Sequence, residues 1–299
     1  MRPESIDQGE NVPVRLLHIS DLHFGAPFVP EVAEALLVAA KQLSFDAIVV
    51  SGDLTQRARR NQFIAAQEYL ERFPEVPRLV IPGNHDVPLY NVARRLTAPH
   101  RLFQTHVSPD LNAVIKIPGA TLVGLDSTAP RSAISNGRIH AWQLDFAAEA
   151  FADTPADWVR IVAAHHHFAP APDYLHDSTM PKSKRAIMRF VDLEVDLILG
   201  GHLHRSYIGN SLDFYPGSHR ERGIVIAQCG TSTSRRGRGR EQQKNTFNFA
   251  TVCKKRIEIT HYMYFAEHGF IETSSHQFYR HASAQQPLLP RLDKNRARG

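Results

Sequence analysis

Five short polar clusters hold most of the chemically useful side chains: Asp21-Leu22-His23, Gly52-Asp53, Gly83-Asn84-His85-Asp86, His165-His166-His167 and Gly201-His202-Leu203-His204. They offer carboxylate, amide and imidazole donors and no thiolate. That mixture suits Mn, Fe, Zn or Co better than the all-oxygen cages of Ca and Mg. In an extended chain, residues i and i+2 point to one side. Asp21 with His23, and His202 with His204, are therefore expected to present paired donors to one place. Gly52 lets the backbone turn sharply, so that Asp53 can approach an ion closely. Carboxylates and imidazoles delivered in this way are what a two-metal hydrolytic centre requires.

Each cluster follows a run of apolar β-formers, at residues 14–19, 47–50, 78–81, 159–163 and 196–199. Between the runs lie helical patterns. One carries Val32, Leu36 and Leu43, and another Phe63, Ala66, Leu70 and Phe73 with Asn61 as its cap. Ile139, Trp142, Phe146 and Ala150 form a third, and Pro181 opens a basic helix with Ile187 and Phe190 on its apolar side. Residues 114–117 and 121–125 read as a hairpin about Pro118-Gly119. After residue 204 the pattern is strands only, at 224–227, 247–252, 257–260 and 262–265. From Thr273 the sequence is polar and basic, which predicts one domain over residues 14–272 and a mobile tail over 273–299. Strand–helix alternation followed by strands predicts an α/β fold, a four-layer sandwich of two mixed β-sheets flanked by helices. Ligands bind such folds at the carboxyl ends of the parallel strands, where all the clusters fall.

The 299 residues are 42% hydrophobic and carry 35 Lys and Arg against 30 Asp and Glu. The chain can therefore bury a substantial core, and its slight positive balance is compatible with an anionic substrate. Cys229 and Cys253 match no metal-ligand spacing and sit in apolar surroundings, so both are expected to be buried thiols. Residues 1–13 lack the apolar stretch of a secretory signal and no segment has the length of a membrane helix. The expected location is the cytoplasm. An unpaired sheet edge near the strand-rich end would allow a dimer.

The five clusters, in this order, resemble the calcineurin-like metallophosphoesterase superfamily. Within it the chain is most similar to bacterial class III cyclic-nucleotide phosphodiesterases, on the weaker signals Gly52-Asp53-Leu54-Thr55, the stretch from Pro82 to Pro88, Asp126-Ser127 and the stretch from Gly230 to Arg235. The resemblance implies two transition-metal ions, with Asp21, His23 and His204 on one, Asn84, His165 and His202 on the other, and Asp53 bridging. It implies hydrolysis of a phosphoester by in-line attack of a metal-bound hydroxide, on a cyclic nucleotide as the first candidate. His85 would stabilise charge or donate a proton beside the phosphate, with Asp86 orienting its ring. Many relatives have His-His-Pro-Pro where this chain has His165-His166-His167-Phe168, so His166 is open to a substrate role beside the ligand His165. Hydrolysis of a UDP-diacylglucosamine-type pyrophosphate and nuclease action are the alternative activities. A non-catalytic scaffold is disfavoured because every expected ligand is present.

Isolated features have plainer readings. His18, His100, His106, His140 and His261 are expected to be structural. The Arg235 to Arg240 run reads first as a solvated loop, then as a nucleic-acid contact, or as placing Arg235 or Arg236 on a small anionic substrate. The helix from Lys182 to Arg189 reads as a solvated face, and Trp142 and Trp158 as core anchors.

Overall fold

In the computed structural model, which describes residues 13–132, 137–171, 178–215, 223–237 and 242–280, strand β1 (Val14–Ile19) shows how the layers are stacked. Leu16 turns inward to a cluster containing Val49, Leu79, Leu122, Ile161, Leu199 and Ile259, side chains drawn from both sheets. Its neighbours Leu17 and Ile19 turn outward onto Leu36, Phe63 and Leu70 of the helices. Both faces of the strand are covered, which explains why it reads as a continuous apolar run rather than an alternating one. A fully buried Leu or Ile of this kind contributes about 1.5–3 kcal/mol.

The first sheet has the order β12-β11-β10-β1-β2-β3 and the second β4-β5-β6-β7-β9-β8. Strands β1, β2 (Ala47–Val50) and β3 (Arg78–Val80) are parallel, whereas β10 (Thr246–Val252), β11 (Arg256–Phe265) and β12 (Gly269–Tyr279) are antiparallel. In the second sheet β5 (Ala120–Leu125), β6 (Val159–Ala164), β7 (Leu197–Gly200) and β9 (Val225–Gln228) run parallel. Antiparallel β4 (Ala113–Ile117) and β8 (Tyr207–Asn210) form its edges. Helices α1 (Pro30–Gln42) and α2 (Arg60–Glu71) cover the first sheet. Helices α5 (Ala141–Ala152) and α6 (Ser183–Asp192) cover the second through Leu144, Phe151, Ile187 and Phe190. Short helices α3 (Val92–Thr97), α4 (Arg101–His106) and α7 (Ser211–Phe214) complete the set. The expected four-layer sandwich is therefore present.

Several local expectations change. The cap of α2 is not Asn61: the Gln62 side chain accepts the backbone N–H groups of Arg57 and Arg59 at 2.9 and 3.3 Å. Residues 256–265 form one strand, with a bulge between His261 and Tyr262 where two strands were expected. Strand β12 runs to Tyr279, so the tail does not begin at Thr273. Its polar composition reflects an edge strand with a wet face. Arg280 then closes the strand, its guanidinium 2.8 Å from Asp196 with both side chains 2% exposed. Residues 281–299 lie outside the described residues, as do 1–12, 172–177 and 238–241, which carry part of the arginine run and Pro172. Trp142 is 57% exposed and is no core anchor, because it sits in the first turn of α5 on the solvent side. Cys229 and Cys253 are buried and form no disulfide among the described residues. No helix among the described residues is long and apolar enough to cross a membrane.

Candidate metal centre

The parallel strands of both sheets deliver their following loops to one edge, and hydrogen bonds between loops hold them in register. Asp21 and His23 donate their backbone N–H to the Gly52 and Asp53 carbonyls at 3.1 and 2.9 Å, and Gly201 donates to His165 at 3.1 Å. The backbone is not extended at these positions. Asp21, His23, Asp53, His202 and His204 have φ between 52° and 73°, in the left-handed region. The paired donors therefore converge by left-handed turns rather than by strand alternation. L-residues pay about 1–2 kcal/mol each for that conformation. Strain of this kind gathers at functional sites.

Two donor groups result. Asp21, His23, Asp53 and His204 form one, and His165, His166 and His202 the other, with the ligand atoms of each group within 4.8 Å of one another. Asp53 joins them: its Oδ2 lies 3.7 Å from His23 Nε2 and 3.4 Å from His165 Nε2. Its Oδ1 accepts the His85 backbone N–H at 2.7 Å. Asn84 belongs to the second group, with Oδ1 2.9 Å from His202 Nδ1 and 3.1 Å from His165 Nε2. All seven expected ligands are thus brought together.

The donor set fits a pair of cations. His204 Nδ1 faces the Arg236 carbonyl at 2.9 Å and His165 Nδ1 faces the Ser51 carbonyl at 2.8 Å. A carbonyl only accepts, so each Nδ1 carries a hydrogen and each Nε2 is aimed into the site, the usual outer arrangement of metal-binding imidazoles. His204 Nε2 lies 3.1 Å from Asp21 Oδ1 and 3.0 Å from His23 Nε2. Asp21 Oδ1 is buried without a well-formed hydrogen bond among the described residues, whereas Oδ2 accepts from Ser20 Oγ and the His202 backbone N–H.

The electrostatics agree. Burial works to raise the Asp53 carboxyl, but His165, His85 and His23 together hold it well below the ordinary carboxylate range. Asp21 is likewise held low against burial, chiefly by His204. Burial pulls His165 down, yet Asp53 outweighs it and lifts His165 to about 9, an attraction for positive charge that a cation also satisfies. Burial, aided by the surrounding imidazoles, keeps His202 well below its ordinary value and hence neutral, the form that ligates.

His85 stands at the mouth. Its Nδ1–H donates to the Gln56 carbonyl at 2.9 Å, and Arg236 Nη1 lies 3.1 Å from its Nε2 and 3.0 Å from Gln56 Oε1. Asp86 does not orient that ring. Its carboxylate accepts the backbone N–H groups of Leu54, Thr55 and Gly83 at 3.1, 2.8 and 2.9 Å, bracing the loops after β2 and β3. Successive residues of the 3₁₀ turn Asn84–Asp86 diverge, which sends the carboxylate away from the imidazole. Burial and then Asp53 push Asp86 up to about 7 against those hydrogen bonds. Arg235 is exposed, and among the described residues only its backbone is engaged, with Pro27, so Arg236 and not Arg235 reaches the centre. His166 is buried and bonded through Nδ1 to Ser127 Oγ at 2.8 Å, with its ring 4.6 Å from that of His202. The contacts of Ser20 and Gln56 were not legible in advance, because neither stands out by type or spacing, and Ser127 stood in the sequence only as part of the Asp126-Ser127 resemblance. For Arg236 the arginine run was the available signal, ambiguous by one position.

The remaining histidines divide. His18 bonds Ser51 and Asn248, and Asn248 bonds His261, forming a buried chain within the first sheet. His100 meets Thr128 at 2.8 Å. These are structural, as expected.

A family model described as calcineurin-like phosphoesterase matches residues 14–206. The match reaches the superfamily and not the cyclic-nucleotide subgroup. No curated protein sequence matches the chain. In fold the chain is similar to the purple acid phosphatase PPD1 from yellow lupin (Lupinus luteus) seeds, with TM-score 0.70 and 12% identity over 92% of this chain. It spans 55% of the length of that phosphatase. It is also similar to PhoD, with TM-score 0.66 and 13% identity over 91% of this chain and 71% of that one. A dimetal phosphatase from Danio rerio gives TM-score 0.60 and 12% identity over 89% of this chain and 99% of that one.

Proposed function

Because this chain belongs to the calcineurin-like phosphoesterase family, and its fold and donor groups are those of a metal-dependent hydrolase, we propose that it hydrolyses a phosphodiester, with cyclic nucleotides the first to test. The observation that carries this reading is the Asp53 carboxylate standing between two groups of buried imidazole and carboxylate donors. Asp21, His23 and His204 would hold one ion, Asn84, His165 and His202 the other, and Asp53 both. When bound, such a pair neutralises phosphate charge and makes hydroxide available near neutral pH.

The chain's own groups do the rest. The Gln56 carbonyl fixes a hydrogen on His85 Nδ1 and leaves Nε2 facing the phosphate; once protonated there from solvent, the imidazolium would give its Nε2 proton to the departing oxygen and return to the neutral ring. Arg236 brings a guanidinium to the same place, suited to paired hydrogen bonds with phosphate oxygens. Asp86 acts by holding the loops that carry Asp53 and Asn84 together.

A second reading has an observation of its own. Leu89, Tyr90, Val92 and Leu96 follow the His85 turn and are 51%, 77%, 61% and 50% exposed. An apolar lip there favours a substrate with an apolar group, as in a UDP-diacylglucosamine-type pyrophosphate. The deciding experiment is a panel of cyclic AMP, cyclic GMP, UDP-linked lipid, single-stranded DNA and phosphomonoesters assayed with Mn, alongside metal content. Turnover of a diester that a chelator abolishes supports the proposal. Full metal loading with no turnover of any ester would instead favour a scaffold.

A further inference from the structure

Trp142 is a large aromatic that the fold leaves 57% exposed. It lines a cleft of about 490 Å³ together with Asp126, Arg131, Gly137, Arg138 and Pro181, a volume suited to a small organic ligand. This cleft adjoins the metal donors. A Cβ on Gly137 would lie 2.4 Å from the His166 ring, so the cleft wall packs directly on that imidazole. Beside Gly137, Ser127, next to Asp126, bonds His166 Nδ1 at 2.8 Å. One imidazole therefore separates the cleft from His165 and His202, whose ring centres are 5.0 and 4.6 Å from that of His166.

The lining selects a ligand type. The Asp126 carboxylate is answered within the protein by the Thr128 N–H at 2.8 Å and by His100 at 3.5 Å. Arg131 and Arg138 then leave the cleft with a positive field. Guanidinium groups only donate, which matches the ring-nitrogen and carbonyl acceptors along a base edge and not a hydrocarbon ring. An indole face stacks on any base.

We infer that this cleft holds the nucleobase of a nucleotide-type phosphoester whose phosphorus sits at the metal donors, with Trp142 as the stacking platform and Arg131 and Arg138 facing the base edge. The inference rests on the phosphoesterase reading of the neighbouring centre, and it narrows the substrate to one bearing a base.

The test uses the Mn-loaded protein and AMP, UMP and ribose 5-phosphate as probes. The sequence has two tryptophans, so Trp158→Phe leaves Trp142 as the sole indole. AMP and UMP should quench its fluorescence, whereas ribose 5-phosphate should not. Calorimetry in the otherwise native chain avoids dependence on that background. There Trp142→Ala should weaken AMP binding about 5- to 150-fold, the loss expected for one stacked base, and Trp142→Phe should restore most of it. Equal affinity for AMP and ribose 5-phosphate, or native AMP affinity in Trp142→Ala, would overturn the assignment. Hydrolysis of bis(p-nitrophenyl) phosphate by the same samples separates the two ideas. Turnover without base discrimination removes the cleft assignment alone, and base discrimination without turnover supports the cleft while removing the hydrolytic reading.

Discussion

Replacing Gly83 with alanine tests the geometry of the centre with a single methyl group. The backbone at Gly83 has φ −108° and ψ 179°, ordinary extended geometry that any residue adopts, so the substitution introduces no conformational strain. It would even stabilise slightly through the unfolded chain, by about 0.4–1 kcal/mol, if space allowed. Space does not allow it. The added carbon would lie 2.2 Å from Asp53 Oδ1 and 2.4 Å from the Asp53 backbone nitrogen, where ordinary contact begins at 3.4 Å. The carboxylate that joins the two donor groups must therefore move by roughly 1 Å, a misplacement worth about 10²-fold in rate when it falls on reacting geometry. Overpacking of this size costs about 1–3 kcal/mol of stability, which a domain of ordinary stability survives. The expected result is a folded protein with a lowered melting temperature, weakened uptake of Mn by calorimetry and about 10²-fold less diester turnover. A folded Gly83→Ala protein that binds Mn and turns over like the native chain would refute the position assigned to Asp53.

Three further outcomes are expected. Asp53→Asn removes the charge shared by both donor groups and should lose nearly all metal and turnover, read by metal analysis of the purified variant. His85→Ala should keep its metal while turnover falls about 10²–10⁴-fold, the range for a positioned acid or base; parallel loss of metal would make His85 a ligand instead. Burial holds His18 at about 3 and His261 at about 4, below the ordinary 6.5, so both are neutral when folded and take up protons on unfolding. Their contribution to stability is complete above pH 6.5 and is lost as pH falls toward the folded values; for His18 alone this amounts to about 2 kcal/mol by pH 5. Urea midpoints should decline over that window, and His261→Gln should flatten the decline. A pH-independent midpoint would show that these imidazoles are not buried neutral.

The centre was legible in the sequence to an unusual depth because donors and strands are both local signals. A buried parallel strand needs an apolar run on both faces, and Leu16 with Leu17 meets that need in adjacent residues. The donors follow such runs at once, so residue type and position brought the donor clusters into view, and the family resemblance then implied Asp21, His23, Asp53, Asn84, His165, His202 and His204 as the ligands. Edge elements were less legible. Strand β12 presents a polar face to water, and composition alone made it resemble a tail.

Which atoms meet was decided by the tertiary structure, since that depends on how loops from distant strands turn toward each other. Asp86 adjoins His85 in the chain, yet its carboxylate braces Leu54, Thr55 and Gly83, because a 3₁₀ turn separates neighbouring side chains. Arg235 and Arg236 are equal as sequence, and only the loop path puts the second beside His85. Trp142 has helical spacing suited to a core, and only the orientation of α5 leaves it facing a cleft. The chain by itself specified the donor inventory and the layers that carry it. The left-handed turns at Asp21, His23, Asp53, His202 and His204 were set by packing, because L-residues adopt that conformation only where surrounding contacts outweigh its strain.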